Sequence, residues 1–136
     1  NQVGKPVIVA TQMLQSIALR SRYSCTLTQT RKDLITLPGV GQYVAGAVLS
    51  LAYARREWIV DSNVVRLFRR YFGVPTSKEG RRDRHVIEMA KTYVSRSKNP
   101  RRANLAMLDF TAIVCTPTGP HCRGCPLARK CSSPPP

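Results

Sequence analysis

The sequence predicts an all-α fold, and three observations predict it. Apolar residues recur at helical spacing in several separate stretches. Capping residues and Gly or Pro breaks punctuate those stretches. No alternating apolar–polar pattern, of the kind a half-buried strand needs, competes with them.

Taken in order, Pro6 suits the first turn of a helix, where its missing N–H is not needed. Val9, Met13, Ile17 and Ala18 then share one helical face. Residues 23–30 are rich in Ser and Thr and read as irregular. Thr30 can cap a short helix that runs into Leu34 and Leu37. Pro38-Gly39-Val40-Gly41 is a tight break. Val44, Ala45, Ala47, Val48, Leu51 and Ala52 form a helix with a face of small residues, followed by a loop through Arg55 and Arg56. Val60-Asp61-Ser62-Asn63 reads as the start of the next helix, since Asp, Ser and Asn all cap well. Val64, Leu67, Phe68 and Tyr71 continue it to Gly73. A linker covers 75–80, and helices are expected at 85–94 and 103–114. The expected division is a helical part over 1–114, a cysteine loop over 115–131 and a disordered tail over 132–136. Trp58 and Phe68 are expected in the core, His85 on a helix surface, and Cys25 as a buried or incidental thiol.

With 136 residues the chain has room for one ordinary hydrophobic core. Lys and Arg total 22 against 7 Asp and Glu, a net charge of +15. Such an excess attracts a polyanion, either nucleic acid or an acidic membrane surface; a merely solvated basic surface is the plain alternative. No apolar run approaches the ~18 residues of a membrane span, so no membrane association is expected. The opening residues are polar and lack a signal-peptide pattern. The expected setting is therefore cytoplasmic, at the nucleoid, or nuclear, with the protein not secreted and acting as a monomer. The chain opens on Asn1 rather than Met, which suggests a processed or partial product.

Four of the five cysteines crowd into one loop as Cys115-x6-Cys122-x2-Cys125-x5-Cys131. Four thiolates this close can surround a [4Fe–4S] cluster or a structural zinc ion. Zinc ribbons usually use two separated Cys-x2-Cys pairs, and only one such pair is present. Arg123, Arg129 and Lys130 decorate the loop and can reach phosphates, while His121 reads as a surface residue.

Leu37-Pro38-Gly39-Val40-Gly41 sits between two helical segments. Glycine lets the backbone approach a ligand closely, and a helix starting near Gln42 points its free N–H groups at the loop. That arrangement suits a phosphate oxygen, with a bound cation able to bridge loop carbonyls to it. A simple helix–turn–helix joint is the other reading.

The stretch Leu37-Pro38-Gly39-Val40-Gly41-Gln42-Tyr43-Val44-Ala45 resembles the signature of the helix–hairpin–helix DNA glycosylases, the superfamily of endonuclease III and the adenine glycosylases. So does its approach, Thr28-Gln29-Thr30-Arg31-Lys32-Asp33-Leu34, and the resemblance runs from about Val3 to Cys131. It implies that residues Leu37 to Gln42 grip the backbone of double-stranded DNA without reading its sequence. It also implies that Cys115, Cys122, Cys125 and Cys131 hold a [4Fe–4S] cluster. Val60-Asp61-Ser62-Asn63-Val64-Val65-Arg66 resembles the family's catalytic segment, which puts Asp61 in the base pocket. A carboxylate near C1′ stabilises the cationic sugar formed as the N-glycosidic bond breaks; a plain helix cap is the alternative role. The resemblance gives Asn63 a part in orienting water or the junction with the hairpin, and Arg66 a partner in either Asp61 or phosphate. Bifunctional members carry lysine where this chain has Tyr43, and a phenol forms no Schiff base. The implied enzyme is therefore monofunctional, acts in base excision repair and leaves an abasic site; packing, or contact with the flipped nucleotide, is the other role open to Tyr43.

The substrate has two readings. Residues 104–115 and Arg70-Tyr71-Phe72-Gly73 resemble the glycosylases acting on T or U opposite G, which is the favoured reading. Gly46-Ala47-Val48-Leu49-Ser50-Leu51-Ala52-Tyr53 resembles the adenine glycosylases, which act on A opposite G or 8-oxoguanine but usually carry glycine at the Ser62 position. Family helices that precede the Val3 position, and that carry base-pocket and wedge residues, have no counterpart in this sequence. A DNA-binding fragment without catalysis is therefore the third reading.

Overall fold

A computed structural model describes residues 30–133. The helix expected after Pro6, residues 23–29 and Cys25 lie outside the described residues. Every regular element among the described residues is helical, as the apolar spacing predicts.

Helix α1 (Arg31–Ile35) starts at Thr30 through a reciprocal cap. The Thr30 hydroxyl accepts the Asp33 N–H, and Asp33 Oδ2 accepts the Thr30 N–H at 2.7 Å. The Thr30 N–H, then its hydroxyl, hold the Asp33 carboxyl below its ordinary pKa. After the hairpin, α2 (Gln42–Ala47) passes into a single π turn over Val48–Ala52. That turn inserts one residue into the helical ladder and rotates the residues beyond it. Leu49 and Ser50 therefore face inward, 2% and 0% exposed, whereas Ala52 is exposed and Leu51 only half-buried. The inward face predicted from uninterrupted α spacing was wrong at those positions for this reason. The Arg55 N–H closes the turn on the Leu49 carbonyl at 2.9 Å, and Ala54 takes φ +53° as the chain reverses.

Trp58, Ile59 and Val60 run buried into α3 (Ser62–Phe72), which ends at Gly73 with φ +67°. Only glycine takes that left-handed conformation without strain. Between α3 and α4, Asp83 accepts the Ser77 N–H and hydroxyl at 2.8 and 2.6 Å and pins the linker. Helix α4 covers Arg84–Arg96. Helix α5 covers Pro100–Ile113, starting three residues before the apolar pattern begins. The start is set by polar chemistry: Asn99 Oδ1 accepts the Arg102 N–H at 2.9 Å, and Pro100 occupies the first turn.

Two apolar clusters result. Leu34, Val40, Ala45, Val48 and Leu49 join α1, the hairpin and α2. Trp58, Val60, Val64, Leu67, Phe68, Val86, Ala90 and Met107 join α3, α4 and α5, with Trp58 and Phe68 in the core as expected. His85 is exposed, with Nε2 at 2.8 Å from the Pro75 carbonyl oxygen.

Asn104 bridges α5 to the π turn. Its Nδ2 donates to Ser50 Oγ at 2.7 Å and to the Glu57 carbonyl at 2.8 Å, and the side chain is fully buried. Asn104→Ala would leave both acceptors dry. We expect a loss of about 2 kcal/mol or more, read as a lower urea midpoint at constant slope. An unchanged midpoint would show that water replaces the amide.

Candidate functional site

The hairpin forms as its glycines predict. Gly39 has φ +78°, and the Val40 N–H closes the turn on the Leu37 carbonyl at 3.1 Å. Val40 is buried and anchors the loop, while Pro38, Gly39, Gly41 and Gln42 are exposed and Leu37 is half-buried. Gly41 is the N-cap of α2 and offers no side chain to it, so the first N–H groups of the helix are left to an outside acceptor.

At the second position of α2, Tyr43 is half-buried and lies within the field of Asp61. Burial, and secondly the Asp61 charge, raise the Tyr43 pKa above its ordinary value, so the phenol is neutral at physiological pH. The fold thus places Tyr43 within the electrostatic reach of Asp61, from which the rest of α2, the π turn and a loop separate it in sequence.

Asp61 is the N-cap of α3: Oδ1 accepts the Val64 N–H at 2.8 Å. Its other oxygen, Oδ2, accepts from Asn63 Nδ2 at 2.8 Å. The carboxylate is half-buried, and each oxygen keeps lone-pair capacity beyond these bonds. Asn63 Oδ1 in turn accepts from Arg66 Nη1 at 2.8 Å. Arg66 was expected to meet Asp61 or phosphate; among the described residues it makes no ion pair with Asp61. Its Nε and Nη2 instead donate to the Cys115 carbonyl at 3.1 and 2.9 Å, and Nη2 also donates to the Thr111 carbonyl at 3.0 Å. The reason is geometric. A guanidinium one turn inside α3 lies beside the C-terminus of α5, whose last carbonyls lack helical donors. Asn63, expected to orient water or the junction with the hairpin, instead holds the Asp61 carboxylate. A relay of two side chains thus joins Asp61 to the main chain of the first loop cysteine.

The cysteine loop is built from single 3₁₀ turns, Cys122–Gly124 and Ala128–Lys130. Cys115, Cys122, Cys125 and Cys131 are all half-buried free thiols, and all four line one cavity of about 190 Å³ with apolar walls from Leu67, Phe110 and Val114. Among the described residues no three His, Cys, Asp or Glu side chains converge on a single-ion position; the thiols ring a space instead. Arg70, one turn beyond Arg66, donates from Nη1 to Cys115 Sγ at 3.6 Å and to the Thr116 carbonyl at 2.7 Å. The sequence reading missed Arg70 in this role, although its i,i+4 spacing from Arg66 on α3 was visible. Ser132 and Ser133, expected in a disordered tail, donate their N–H groups to the Tyr71 and Arg70 carbonyls at 3.0 and 2.9 Å. The end of α3 supplies those free acceptors, and the loop is stapled there. His121, Arg123, Arg129 and Lys130 are exposed.

Two measurements separate the structural and chemical roles of Asp61. Asp61→Asn keeps an N-cap acceptor, so stability should change by no more than about 0.5 kcal/mol, whereas Asp61→Ala should cost about 1 kcal/mol. Equal losses in urea unfolding would contradict the cap. The Tyr43 phenol should titrate above a surface tyrosine, and Asp61→Asn should lower its midpoint only partway, because burial is the larger cause. With the folded value raised, the stability held by the neutral phenol is complete below about pH 10 and falls as pH rises further.

Comparison with known proteins agrees with this geometry. The family described as "Helix-hairpin-helix motif" matches residues 27–51. A thymine/uracil-DNA glycosylase from Methanothermobacter thermautotrophicus is 37% identical over 110 residues, covering 81% of this chain and 49% of that protein. An adenine DNA glycosylase from Schizosaccharomyces pombe is 36% identical over 98 residues, covering 71% of this chain and 21% of that protein. Among solved structures, a thermostable thymine-DNA glycosylase superposes with a TM-score of 0.72 at 33% identity, over 90% of this chain and 57% of that one. Endonuclease III in a non-covalent complex with DNA gives a TM-score of 0.63 at 26% identity, over 90% of this chain and 56% of that one. The chain spans about half the length of the thymine/uracil relative it matches. By its hairpin, its fold and its relatives, this chain belongs to the helix–hairpin–helix DNA glycosylase superfamily.

Proposed function

We propose that this chain is the hairpin, carboxylate and cysteine-loop portion of a monofunctional DNA glycosylase that removes T or U opposite G from duplex DNA. The observation that carries the reading is the Asp61 carboxylate held at the cap of α3, with the half-buried, neutral Tyr43 of α2 within its electrostatic reach. The hairpin N–H groups take a phosphate oxygen, and the +15 charge draws the duplex in. A flipped nucleotide then lies with its sugar near Asp61. The C1′–N bond breaks with its electron pair leaving on the base. The Asp61 carboxylate stabilises the sugar cation and accepts hydrogen bonding from the incoming water. Water oxygen bonds to C1′ and its proton ends on the departing base, leaving an abasic site. Tyr43 supplies no amine, so no Schiff base forms and the strand stays intact.

Cys115, Cys122, Cys125 and Cys131 would hold a [4Fe–4S] cluster. All four thiols line one cavity, and the loop has a single Cys-x2-Cys pair where zinc ribbons use two, which supports that donor set over zinc. When bound, the cluster would supply a rigid crosslink of the loop to Cys115 at the end of α5. Arg70 donates toward one sulfur, and the Arg66–Asn63 pair carries the loop's position to Asp61.

Excision should be assayed on duplexes holding G·T, G·U, A·G and A·8-oxoguanine pairs. Release of T or U from G pairs supports the reading. Release of A would give the chain to the adenine branch, which the S. pombe relative at 36% identity also supports. Salt-dependent binding without release from any duplex would leave a DNA-binding module. Asp61→Asn should lower the excision rate at least about a hundredfold while duplex affinity is kept or strengthened. Strands should break only after alkali, and borohydride should trap no protein–DNA adduct. Protein purified without oxygen should be brown and hold about four irons per chain; one zinc and no iron would overturn the cluster assignment.

A further inference from the structure

Arg31 leaves the first position of α1, ahead of the hairpin, and its guanidinium is spent inside the fold. Nη1 donates to the Gln42 carbonyl at 2.7 Å and Nη2 to the Trp58 carbonyl at 2.6 Å. Nε donates to Glu57 Oε2 at 2.9 Å, and the guanidinium carbon lies 3.8 Å from the centre of the Trp58 ring. The side chain is 13% exposed. Both carbonyls belong to the main chain, so the tie acts on backbone position. Gln42 directly follows the hairpin, and Trp58 precedes Asp61 by three residues.

The joint has no slack on either side. Ile59 and Val60, which link Trp58 to Asp61, are 0% and 3% exposed. Gly46, one turn beyond Gln42 on α2, lets the helix lie directly on the segment. A Cβ there would stand 2.4 Å from the Trp58 carbonyl oxygen and 2.7 Å from Arg31 Nη2. We propose that Arg31 is a positioning residue that sets the distance between the phosphate-gripping hairpin and the Asp61 carboxylate, so that phosphate contact and sugar contact share one register. The inference rests on the excision reading of those two elements.

The chemistry of the group points the same way. Burial disfavours the charged guanidinium, and Glu57 offsets part of that cost with its charge. An apolar side chain of similar volume would often serve stability as well. What it would not do is span two carbonyls and a carboxylate with one planar fork, and neither would lysine. Misplacing a catalytic group by about 1 Å can cost about a hundredfold in rate.

The test uses Arg31→Lys and Arg31→Met, with Gly46→Ala pressing on the same joint from the other side. Single-turnover excision rates, duplex affinities and the Tyr43 phenol midpoint, followed by NMR with labelled tyrosine, are measured on the folded variants. Arg31→Lys keeps the charge for Glu57 but loses the fork. It should bind duplex within about twofold of the parent while the excision rate falls at least about tenfold. The Tyr43 midpoint should drop toward the ordinary value as α2 moves off the Asp61 segment. An unchanged rate, or a rate that falls only in step with affinity or with the folded fraction, would overturn the proposal. If Arg31→Met does not fold, Arg31→Lys and Gly46→Ala carry the comparison. If the parent chain itself releases no base, the excision reading fails on its own, and the Tyr43 midpoint still decides: an unmoved midpoint in folded Arg31→Lys overturns the role of Arg31.

Discussion

Both oxygens of Asp61 are engaged by the protein itself, one by the Val64 N–H and one by Asn63. This pair of bonds is the constraint on which the rest of the site depends. The N-cap position fixes the direction of the carboxylate, because capping geometry tolerates little rotation. The cap and the proposed catalytic role of Asp61 are therefore compatible. The cap holds the carboxylate in place ahead of any ligand, as the proposed stabilisation of a sugar cation requires.

From that carboxylate two chains of contact lead outward. One runs back through buried Val60, Ile59 and Trp58 to α2 and the hairpin. The other runs forward through Asn63 and Arg66 to the Cys115 carbonyl and the loop stapled on α3. Hairpin, carboxylate and thiol-lined cavity are thus parts of one connected framework. Each connection ends on a main-chain carbonyl, which holds position whatever the side chain at that residue.

The charge of the chain divides accordingly. A net +15 reads from composition as a field for phosphate. Yet Arg31, Arg66 and Arg70 point their guanidinium groups at carbonyls and at a sulfur within the fold. Arginine suits this work because its planar fork meets two acceptors at once and stays charged when half-buried. Arg123, Arg129 and Lys130, by contrast, face solvent.

Much of this was legible in the amino-acid order. The all-helical class, the hairpin glycines, the Thr30 and Asp61 caps and the spacing of the four loop cysteines all rest on local chemistry. A cap, a positive φ or a ligand spacing is settled by residues within one or two turns of each other. Helix α5 escaped only at its start, where Asn99 and Pro100 outweigh the apolar pattern. The π turn, which turned Leu49 and Ser50 inward, carries no local mark in the sequence. Only tertiary structure decided that Arg66 reaches the Cys115 carbonyl, that Arg31 joins Gln42 to Trp58, and that Ser132 and Ser133 are held. Each of these is a bond to a backbone carbonyl distant in sequence. A carbonyl is the same group at every residue, so no pattern of residue types reveals which one a long side chain will reach.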